Sequence, residues 1–488
     1  MKRNRIIKTA IFLLIFALIF ALFSCQTNDE ETNLQNTSPA NAAESANEPA
    51  TGPEISDNLP EMDFNGYDFR VYMREGSRGF DFYAESENGD LINDAVYKRN
   101  KIVEGRFNIN IVPVLYSDEW DSSSQQSILA GDDAYDLMSM HGRLTFSFAQ
   151  KGLVLDWLTN MTYVNFDMPW WRDDITKGFA AFGKLYSTTG DISHLSLGAA
   201  MGLMFNKDLF KNLDIEYPYN DVIKGTWILD KFYSTVKGGS ADLNGDGAIT
   251  PDADRYGLAS SEWVYSIAVF YHGGDRIVSL DDQGIPFLSV YNDRTVDIFG
   301  RFFDMLNYNG AACISGLDTP PYNNPESIDL FRENRALFVA TSMISSIAYR
   351  DMEAEIGILP FPKYDETTLR YYTPSEAGTN LFIVPITAQN TERISIIVEA
   401  LCAEGHKSVI PAFYEKSLKT KFSRDDESEM MLDYIKDGII YDYGYYNDSL
   451  TAELASVGVN LARANNSNFT SFYERYEKKV QNNIEKLK

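Results

Sequence analysis

The stretch GAAMGLMFNKDLFKNLDIEYPYNDVIKGTWILDKF, residues 198–232, decides the fold predicted for this chain of 488 residues. It opens with small and apolar side chains, which predict a short buried strand over residues 198–205. Asn206 and Asp208 come next, at the position where a helix needs an N-terminal cap. The strand should therefore run directly into a helix over residues 208–213.

The second half of the same stretch adds another helix. The first helix should end at a loop that contains Pro218. Thr226 then stands at the place of a helix cap, and apolar side chains repeat at helical spacing after it, at Trp227, Leu229 and Phe232. One strand is therefore followed by two helices.

Strands and helices also alternate before this stretch, and a β-α-β pattern predicts a parallel sheet covered by helices. The predicted elements there are strands over residues 69–73, 109–114 and 136–140, helices over 93–107 and 122–130, and a hairpin turn at Gly183 and Lys184. Later elements are helices over 296–306, 327–338 and 392–403, an apolar strand over 381–386, and an amphipathic helix from residue 469 onward.

Several motifs resemble the family 1 extracellular solute-binding proteins, the receptors of bacterial carbohydrate ABC importers. The resemblance begins with FNKDLFK at residues 205–211 and TWILDKF at 226–232. It continues through DRYG at 254–257, the pair Gly273 and Gly274, and FRENRALF at 331–338, and it covers all but about the first sixty residues.

This resemblance implies an α/β, two-lobed periplasmic-binding-protein type II fold. Each lobe should be a mainly parallel sheet flanked by helices, and hinge strands near residues 198–205 and 381–386 should cross between the lobes. The implied division places residues 59–197 and 379–425 in lobe 1, and residues 198–378 and 426–488 in lobe 2. A chain of this length suits two or three domains.

The N-terminus predicts export and lipid attachment. Residues 1–24 read as a signal peptide, because four cations precede an uncharged run that is shorter than the ~20 apolar residues of a membrane-spanning helix. Leu22-Phe23-Ser24-Cys25 resembles a lipobox, which would place a lipid on Cys25; the alternatives are an uncleaved anchor or an ordinary signal peptide. Residues 25–58 lack large apolar side chains and predict a disordered tether. The protein should be anchored to the outer face of the cell membrane.

Composition excludes some partners. The formal net charge is −27, and nucleic-acid binding needs clustered lysine and arginine, so nucleic acid is not an expected partner. Cys313 and Cys402 cannot build a disulfide framework, although one bridge between them stays open. We expect a monomer whose partners are a carbohydrate and the transmembrane subunits of an ABC permease, the second implied by the resemblance.

An EF-hand-like loop predicts a structural calcium ion. Oxygen ligands occupy positions 1, 3 and 5 of the loop, glycine occupies position 6, and a backbone carbonyl would serve at position 7. Position 12 is Ala253 with aspartates on both sides, so the alternative is a surface turn rich in Asp, Asn and Gly. The candidate ligands are Asp242, Asn244, Asp246, Ala248, Thr250, Asp252 and Asp254.

Other metal and catalytic motifs are missing from the sequence. The four histidines are isolated, and there is no serine-nucleophile elbow and no phosphate-binding glycine loop. A pair of carboxylates could still serve a secreted lipoprotein glycoside hydrolase, which is the alternative function. The leading interpretation is a binding protein that is not an enzyme and that closes two lobes around its ligand.

Aromatic side chains are the best candidates for ligand contact, since sugar C–H faces pack on rings while the hydroxyls accept and donate hydrogen bonds. For each of them the alternative is an ordinary core or rim aromatic. The candidate ligand-binding residues are Glu262, Trp263, Tyr265, Trp170, Trp171, Tyr186, Asp191 and Tyr445, with Trp263 and either Trp170 or Trp171 as opposing jaws.

Overall fold

Two separate β-sheets, each covered by helices, carry the fold in this computed structural model. The structure describes residues 55–76, 81–117, 122–317, 327–349, 351–414 and 426–487, and residues 57–488 form one compact unit. The predicted signal peptide over residues 1–24, Cys25, and most of the predicted tether over 25–58 lie outside the described residues. Among the described residues, no helix is both long and apolar enough to cross a membrane.

The described strands are numbered in chain order. They are β1 Tyr67–Arg74, β2 Ile109–Tyr116, β3 Leu137–His141, β4 Met201–Asn206, β5 Tyr256–Ser261, β6 Val278–Leu280, β7 Pro286–Leu288, β8 Ala312–Ser315, β9 Ala336–Ser342, β10 Ile356–Leu359, β11 Thr373–Pro374, β12 Asn380–Ile383 and β13 Ile439–Ile440.

The described α-helices are numbered in the same way. They are α1 Leu91–Phe107, α2 Ser123–Ala130, α3 Gly142–Gln150, α4 Trp157–Asn160, α5 Asp173–Phe179, α6 Leu195–Gly198, α7 Lys207–Asn212, α8 Tyr219–Lys224, α9 Leu229–Gly239, α10 Tyr265–Ala268, α11 Asp293–Leu306, α12 Ser327–Arg332, α13 Met343–Ser346, α14 Thr391–Lys407, α15 Val409–Pro411, α16 Asp426–Asp437, α17 Tyr443–Tyr446, α18 Asp448–Thr451, α19 Val457–Arg463 and α20 Phe469–Lys486. Short 3-10 helices cover Ala181–Gly183, Val269–Gly273, Ile347–Tyr349 and Ala452–Ser456.

The two large sheets are mainly parallel. The first has the strand order β12-β3-β1-β2, in which β3, β1 and β2 are parallel and β12 is antiparallel to β3. The second has the order β10-β4-β9-β5-β8, in which only β4 runs against its neighbours. Apolar strands buried on both faces are typical of parallel sheets under helices, and all seven residues of β9, which is parallel to β5, are buried.

Three chain segments pass between the two sheets. Thr188 pairs with Phe382 of the first sheet, and Ala200, just before β4, pairs with Ser375, which directly follows β11. Beside them β11 and β13 form a small parallel ladder. The sequence predicted crossings near β4 and β12, whereas these two strands belong to the sheets and the crossings lie immediately before them. The third segment, at β13, was not predicted.

The deciding stretch folds largely as predicted. Asn206 caps α7, because its side chain accepts a hydrogen bond from the Leu209 N–H at 2.9 Å. Two details are wrong. The loop with Pro218 contains the short helix α8, and Thr226 does not cap α9; its hydroxyl donates to Asp221 instead, within the turn that ends α8.

Two further predictions need correction. The helical spacing over residues 327–338 belongs to the short helix α12 followed by β9; Asn334, with φ +58°, stands at the break between them. The hairpin predicted at Gly183 is the end of a 3-10 helix. Cys313 and Cys402, whose pairing the sequence left open, are both buried and are not joined by a disulfide.

Candidate functional site

The carboxyl ends of parallel strands from both sheets carry the side chains of the candidate site. Strand β3 ends at His141 and is followed by Gly142 and Arg143, while β5 ends at Ser261 and is followed by Glu262 and Trp263. In open α/β sheets, ligands bind outside the carboxyl ends of the strands. These two strand ends are therefore the expected position of a ligand site.

Arg143 and Trp263 bring the two strand ends together. The guanidinium carbon of Arg143 lies 5.9 Å from the ring centroid of Trp263 and 4.8 Å from that of Tyr445. Its Nη2 donates to the Ser456 hydroxyl at 3.3 Å, and its Nε is buried without a hydrogen-bond partner among the described residues. Trp263 is 44 % exposed, so this contact leaves part of the indole open to a ligand.

The turn that presents Arg143 is fixed by close packing. A Cβ atom at Gly142 would lie 2.5 Å from the Tyr446 ring, so only glycine allows α3 to start this close to α17. His141 caps the helix, since its Nδ1 accepts the Arg143 backbone N–H at 3.3 Å. The position of Arg143 is therefore set by the two residues that precede it.

Glu262 forms an ion pair with Arg463. It is nearly buried, and the Arg463 Nε donates to its Oε2 at 2.7 Å while Arg463 Nη2 donates to its other oxygen. Gly316 approaches this carboxylate so closely that a Cβ there would lie 2.7 Å from it. The Arg463 guanidinium carbon is also 5.4 Å from the Trp263 ring centroid. Glu262 therefore positions an arginine beside Trp263.

Tyr265 and Tyr445 are in the neighbourhood but are not exposed. Tyr265 is fully buried and donates a hydrogen bond to the Tyr233 hydroxyl at 3.1 Å, and burial raises its pKa well above the usual value. Tyr445 is 3 % exposed, and its hydroxyl accepts the Ala377 N–H at 3.3 Å. Burial raises the pKa of Tyr445. Tyr265 is a core residue. The ring of Tyr445 packs against the Arg143 guanidinium and holds it in place.

Trp170 and Trp171 lie away from the surface. They are 1 % and 5 % exposed, and both indole N–H groups donate to the buried carboxylate of Glu399, at 2.9 and 2.8 Å. The structure therefore does not bring either ring against Trp263, and neither offers a face for a sugar. The proposal that one of them forms a jaw is contradicted by this burial.

Asp191 makes a structural contact with a histidine. Its Oδ2 lies 2.6 Å from the Nδ1 of His406 near the end of α14. Burial raises the pKa of this carboxyl, and the histidine beside it acts in the opposite direction. Asp191 holds the segment that leads to β4 against α14, and it is not at the Arg143–Trp263 contact.

Three cavities surround these elements. One, of about 390 Å³, lies beside Arg143 and is bounded by residues of 448–456, among them the carboxylates of Asp448 and Glu453. A second, of about 240 Å³, includes the predicted residue Tyr186. The largest, of about 750 Å³, lies at the carboxyl ends of β1 and β2 and is bounded by Arg74 and His194 among others.

Sequence reasoning missed the two arginines and Ser456. Arg143 had a signal, because it is the third residue after a predicted strand in a parallel sheet, where ligand-contacting side chains gather. Arg463 and Ser456 had none. They lie about 200 residues or more from their partners Glu262 and Arg143, and only the tertiary structure brings them together.

The predicted calcium loop is closed by its own hydrogen bonds. Gly245 and Gly247 adopt left-handed conformations, and their N–H groups donate to the Asp242 carboxylate at 2.6 and 2.8 Å. Asp254 accepts the N–H groups of Leu243 and Thr250, both at 2.8 Å, and these bonds lower its pKa. Among the described residues, no three Asp, Glu, His or Cys side chains converge as a metal site.

The hydrogen bonds within the loop show where several of the predicted calcium ligands lie. Asn244 and Asp246 bond to each other and to the N–H groups that follow them, so positions 1, 3 and 5 are shaped as expected for such a loop. Asp254, at position 13, connects the two ends of the loop instead of closing a set of three carboxylates. Calcium at this loop, with Ala248, Thr250 and Asp252 as further ligands, stays a prediction.

Comparisons with known proteins were made for sequence and structure. No protein-family model matches the chain, and no curated protein matches its sequence. Solved structures do match. A cyclic α-maltosyl-1,6-maltose-binding protein from Arthrobacter globiformis superposes with a TM-score of 0.57 at 13 % identity, covering 86 % of this chain and 99 % of that one.

Two further matches are of the same kind. A sugar transporter from Rhizobium etli in an open conformation has a TM-score of 0.57 at 12 % identity, covering 85 % of this chain and 99 % of that one. An ABC substrate-binding protein from Listeria monocytogenes in complex with cycloalternan has a TM-score of 0.52 at 13 % identity, covering 86 % and 98 %. At these identities the likeness establishes the fold alone: the chain has the two-lobed α/β fold of the solute-binding proteins of ABC sugar transporters.

Proposed function

We propose that this protein is an extracellular solute-binding lipoprotein of an ABC importer. It captures a saccharide between the carboxyl edges of its two sheets and delivers it to the membrane permease. The protein makes and breaks no bond in its ligand. The solved structures with the same fold are carbohydrate-binding proteins and not enzymes, which supports this class of function.

One observation carries the proposal. The partly exposed indole of Trp263 follows β5 of the second sheet, and it lies against Arg143, which follows β3 of the first sheet. An indole face packs on sugar C–H groups, and a guanidinium donates hydrogen bonds to hydroxyls. A single saccharide at this place can therefore touch elements of both sheets at once.

The division into lobes is part of the proposal. Lobe 1 would comprise residues 59–197 and 379–425, and lobe 2 residues 198–378 and 426–488. In support, all four strands of the first sheet fall in the first set and all five strands of the second sheet fall in the second. A ligand that contacts both lobes favours the closed state by its differential affinity.

Location and anchoring are proposed from the sequence. The positive and then apolar segment over residues 1–24 supports export, and Cys25 at its end supports attachment of a lipid. The protein would then sit on the outer face of the cell membrane, beside the permease, as a monomer.

Isothermal titration calorimetry against an oligosaccharide panel tests the proposal. The panel should contain maltotriose and cycloalternan, which are bound by proteins of the same fold, together with other gluco-, xylo- and manno-oligosaccharides. We expect one of them to bind with one-to-one stoichiometry and to be recovered unchanged. Absence of binding across the panel would count against a saccharide ligand.

A glycoside hydrolase is the second candidate, because Asp448 and Glu453 bound the same cavity as Arg143 and two carboxylates can suffice for glycoside hydrolysis. Chromatography of the panel after overnight incubation separates the two functions. Release of shorter saccharides that is lost in the Glu453→Gln variant would establish the hydrolase and refute the binding protein.

A further inference from the structure

A cavity of about 240 Å³ beside α3 has the chemistry of a ring-binding pocket. We propose that it binds one saccharide ring. The choice of a saccharide rests on the function proposed above, whereas the choice of this pocket rests on its own walls. Trp263 and Arg143 do not bound it.

Five aromatic rings line the pocket. Phe146 of α3 packs edge to face on Phe179, with ring centroids 5.1 Å apart, and on Tyr443, with centroids 5.4 Å apart. These three side chains are nearly fully buried. The packing of three separate chain segments therefore fixes this part of the wall before a ligand binds. A preformed cavity lined by apolar and aromatic side chains is typical of small-molecule sites.

Phe182 completes the wall in an unusual conformation. Its φ is +54°, a left-handed value that bulky residues rarely adopt. Its backbone N–H donates to the Gly284 carbonyl at 2.8 Å, which ties this turn to the loop between β6 and β7. Such conformations cluster at ligand sites, where surrounding structure maintains them. Here the turn keeps Phe182 at the cavity.

Polar side chains also bound the pocket. The Gln150 amide donates to the Asn447 side-chain oxygen at 2.9 Å, which joins two amides that line the cavity. The Tyr186 hydroxyl and the Lys184 ammonium also bound the cavity, and neither makes a hydrogen bond within the described part of the chain. They are available to the hydroxyls of a ligand.

The volume of the cavity and the charge of its lining together limit the kinds of ligand that fit it. Sites for drug-sized molecules measure roughly 300 to 1,000 Å³, so a cavity of about 240 Å³ suits a single ring. No described aspartate or glutamate bounds it, which argues against a cation. Aromatic rings and hydrogen-bonding side chains around one cavity match a pyranose, whose C–H faces are apolar and whose hydroxyls form hydrogen bonds.

Filling the pocket provides the test. Ala149 bounds the cavity from α3, and the Ala149→Phe variant should occupy it without breaking the helix. Calorimetry with glucose, galactose, mannose and xylose should show binding of at least one sugar to the wild type and none to Ala149→Phe. The matched control, Ala130→Phe on an exposed helix position, should bind like the wild type. The Tyr186→Ala variant is a second test if Ala149→Phe misfolds. It should bind the monosaccharide at least tenfold more weakly than the wild type.

The outcomes separate this inference from the proposed function. If oligosaccharide binding depends on Trp263 while no monosaccharide binds, or binds equally to Ala149→Phe, the pocket inference is overturned and the function stands. If a monosaccharide binds in the pocket while no oligosaccharide responds to Trp263→Ala, the pocket stands and the proposed cleft fails. If none of the four sugars binds but phenol or indole binds in the pocket, the assignment of a saccharide as its ligand is overturned.

Discussion

The buried carboxylate of Glu399 accepts a hydrogen bond from the indole N–H of Trp170 at 2.9 Å. The neighbouring Trp171 indole donates to its other oxygen at 2.8 Å, and the Asn165 backbone N–H adds a third donor at 3.2 Å. Removal from water disfavours the charged form more than these bonds favour it, so the pKa of Glu399 is raised to about 7. A carboxyl on α14 thus titrates near neutral pH inside the protein.

This carboxyl should make stability depend on pH. Between about pH 4.5 and 7 the folded state binds its proton more tightly than the unfolded chain, so the free energy of unfolding should fall as pH rises through this range. Above pH 7 the contribution of Glu399 should be constant. The full effect is at most about 3.5 kcal/mol, since each pKa unit between 4.5 and about 7 contributes 1.36 kcal/mol.

The Glu399→Gln variant provides the comparison, because glutamine keeps an acceptor oxygen for an indole N–H and cannot ionise. Urea unfolding at pH 4.5 and at pH 7.5 should show the variant gaining stability relative to the wild type at the higher pH. A difference between the two proteins that does not change with pH would show that Glu399 is not the titrating group. Tryptophan fluorescence should report the same transition.

The same cluster shows why the sequence misplaced two site residues. Trp170 and Trp171 look like cleft aromatics because they follow a proline in a loop-rich region. Their indole N–H groups are satisfied by Glu399, more than 200 residues later in the chain, and no local pattern encodes that partner. Trp263 was chosen as a ligand contact from its place in the family resemblance; its ring is partly exposed, and its contact with a ligand stays a prediction.

Elements were easier to predict than contacts, for a related reason. Strand β4 and the Asn206 cap of α7 follow from neighbouring residues, and both were predicted. Residues 331–338 were not, because their helical spacing continues through Asn334, where a left-handed residue separates a helix from β9. Thr226 failed as a cap because α9 begins only at Leu229, and the hydroxyl of Thr226 instead donates to Asp221, five residues earlier.

Replacing Trp263 by alanine should weaken saccharide binding by ~1 to 3 kcal/mol, the scale of one lost stacked ring. The fold should survive, because the side chain is 44 % exposed. Titration calorimetry with the best saccharide of the panel measures the loss. Trp263→Phe is the control and should retain most of the affinity. Equal affinity of the alanine variant and the wild type would place the ligand elsewhere.

Calcium is proposed to order the loop over residues 242–254 with an affinity in the weak range of about 10⁻⁴ to 10⁻³ M. A chelator should then lower the melting temperature of the wild type and leave the Asp246→Ala variant unchanged. If both proteins respond identically, the loop holds no ion.

Asp254 should stabilise that loop whether or not calcium binds, since its carboxylate accepts two backbone N–H groups. Its lowered pKa means that this stabilisation is present above the pKa of the unfolded chain and is lost as pH falls through the folded value. The Asp254→Ala variant should melt at a lower temperature at pH 7, and the deficit should shrink in strong acid.

Lipid attachment predicts where the protein is found. The Cys25→Ala variant should leave the membrane fraction for the soluble fraction, because removal of the lipid removes the only anchor that we propose. Cell fractionation followed by immunoblotting measures the distribution, with Cys313→Ala as a control that keeps the acylated residue. Retention of the Cys25 variant in membranes would refute the lipobox interpretation.

Closure of the two lobes around the ligand is the last prediction. Arg143 and Trp263 belong to segments that follow strands of different sheets, and their contact at 5.9 Å should be worth only about 0.5 to 1 kcal/mol at a partly exposed site. Ligand contacts must therefore supply most of the preference for the closed state. X-ray scattering should show a smaller radius of gyration at saturating saccharide, and Arg143→Ala should need more ligand for the same change. A scattering profile that saturating ligand leaves unchanged would remove the hinge mechanism even with binding established.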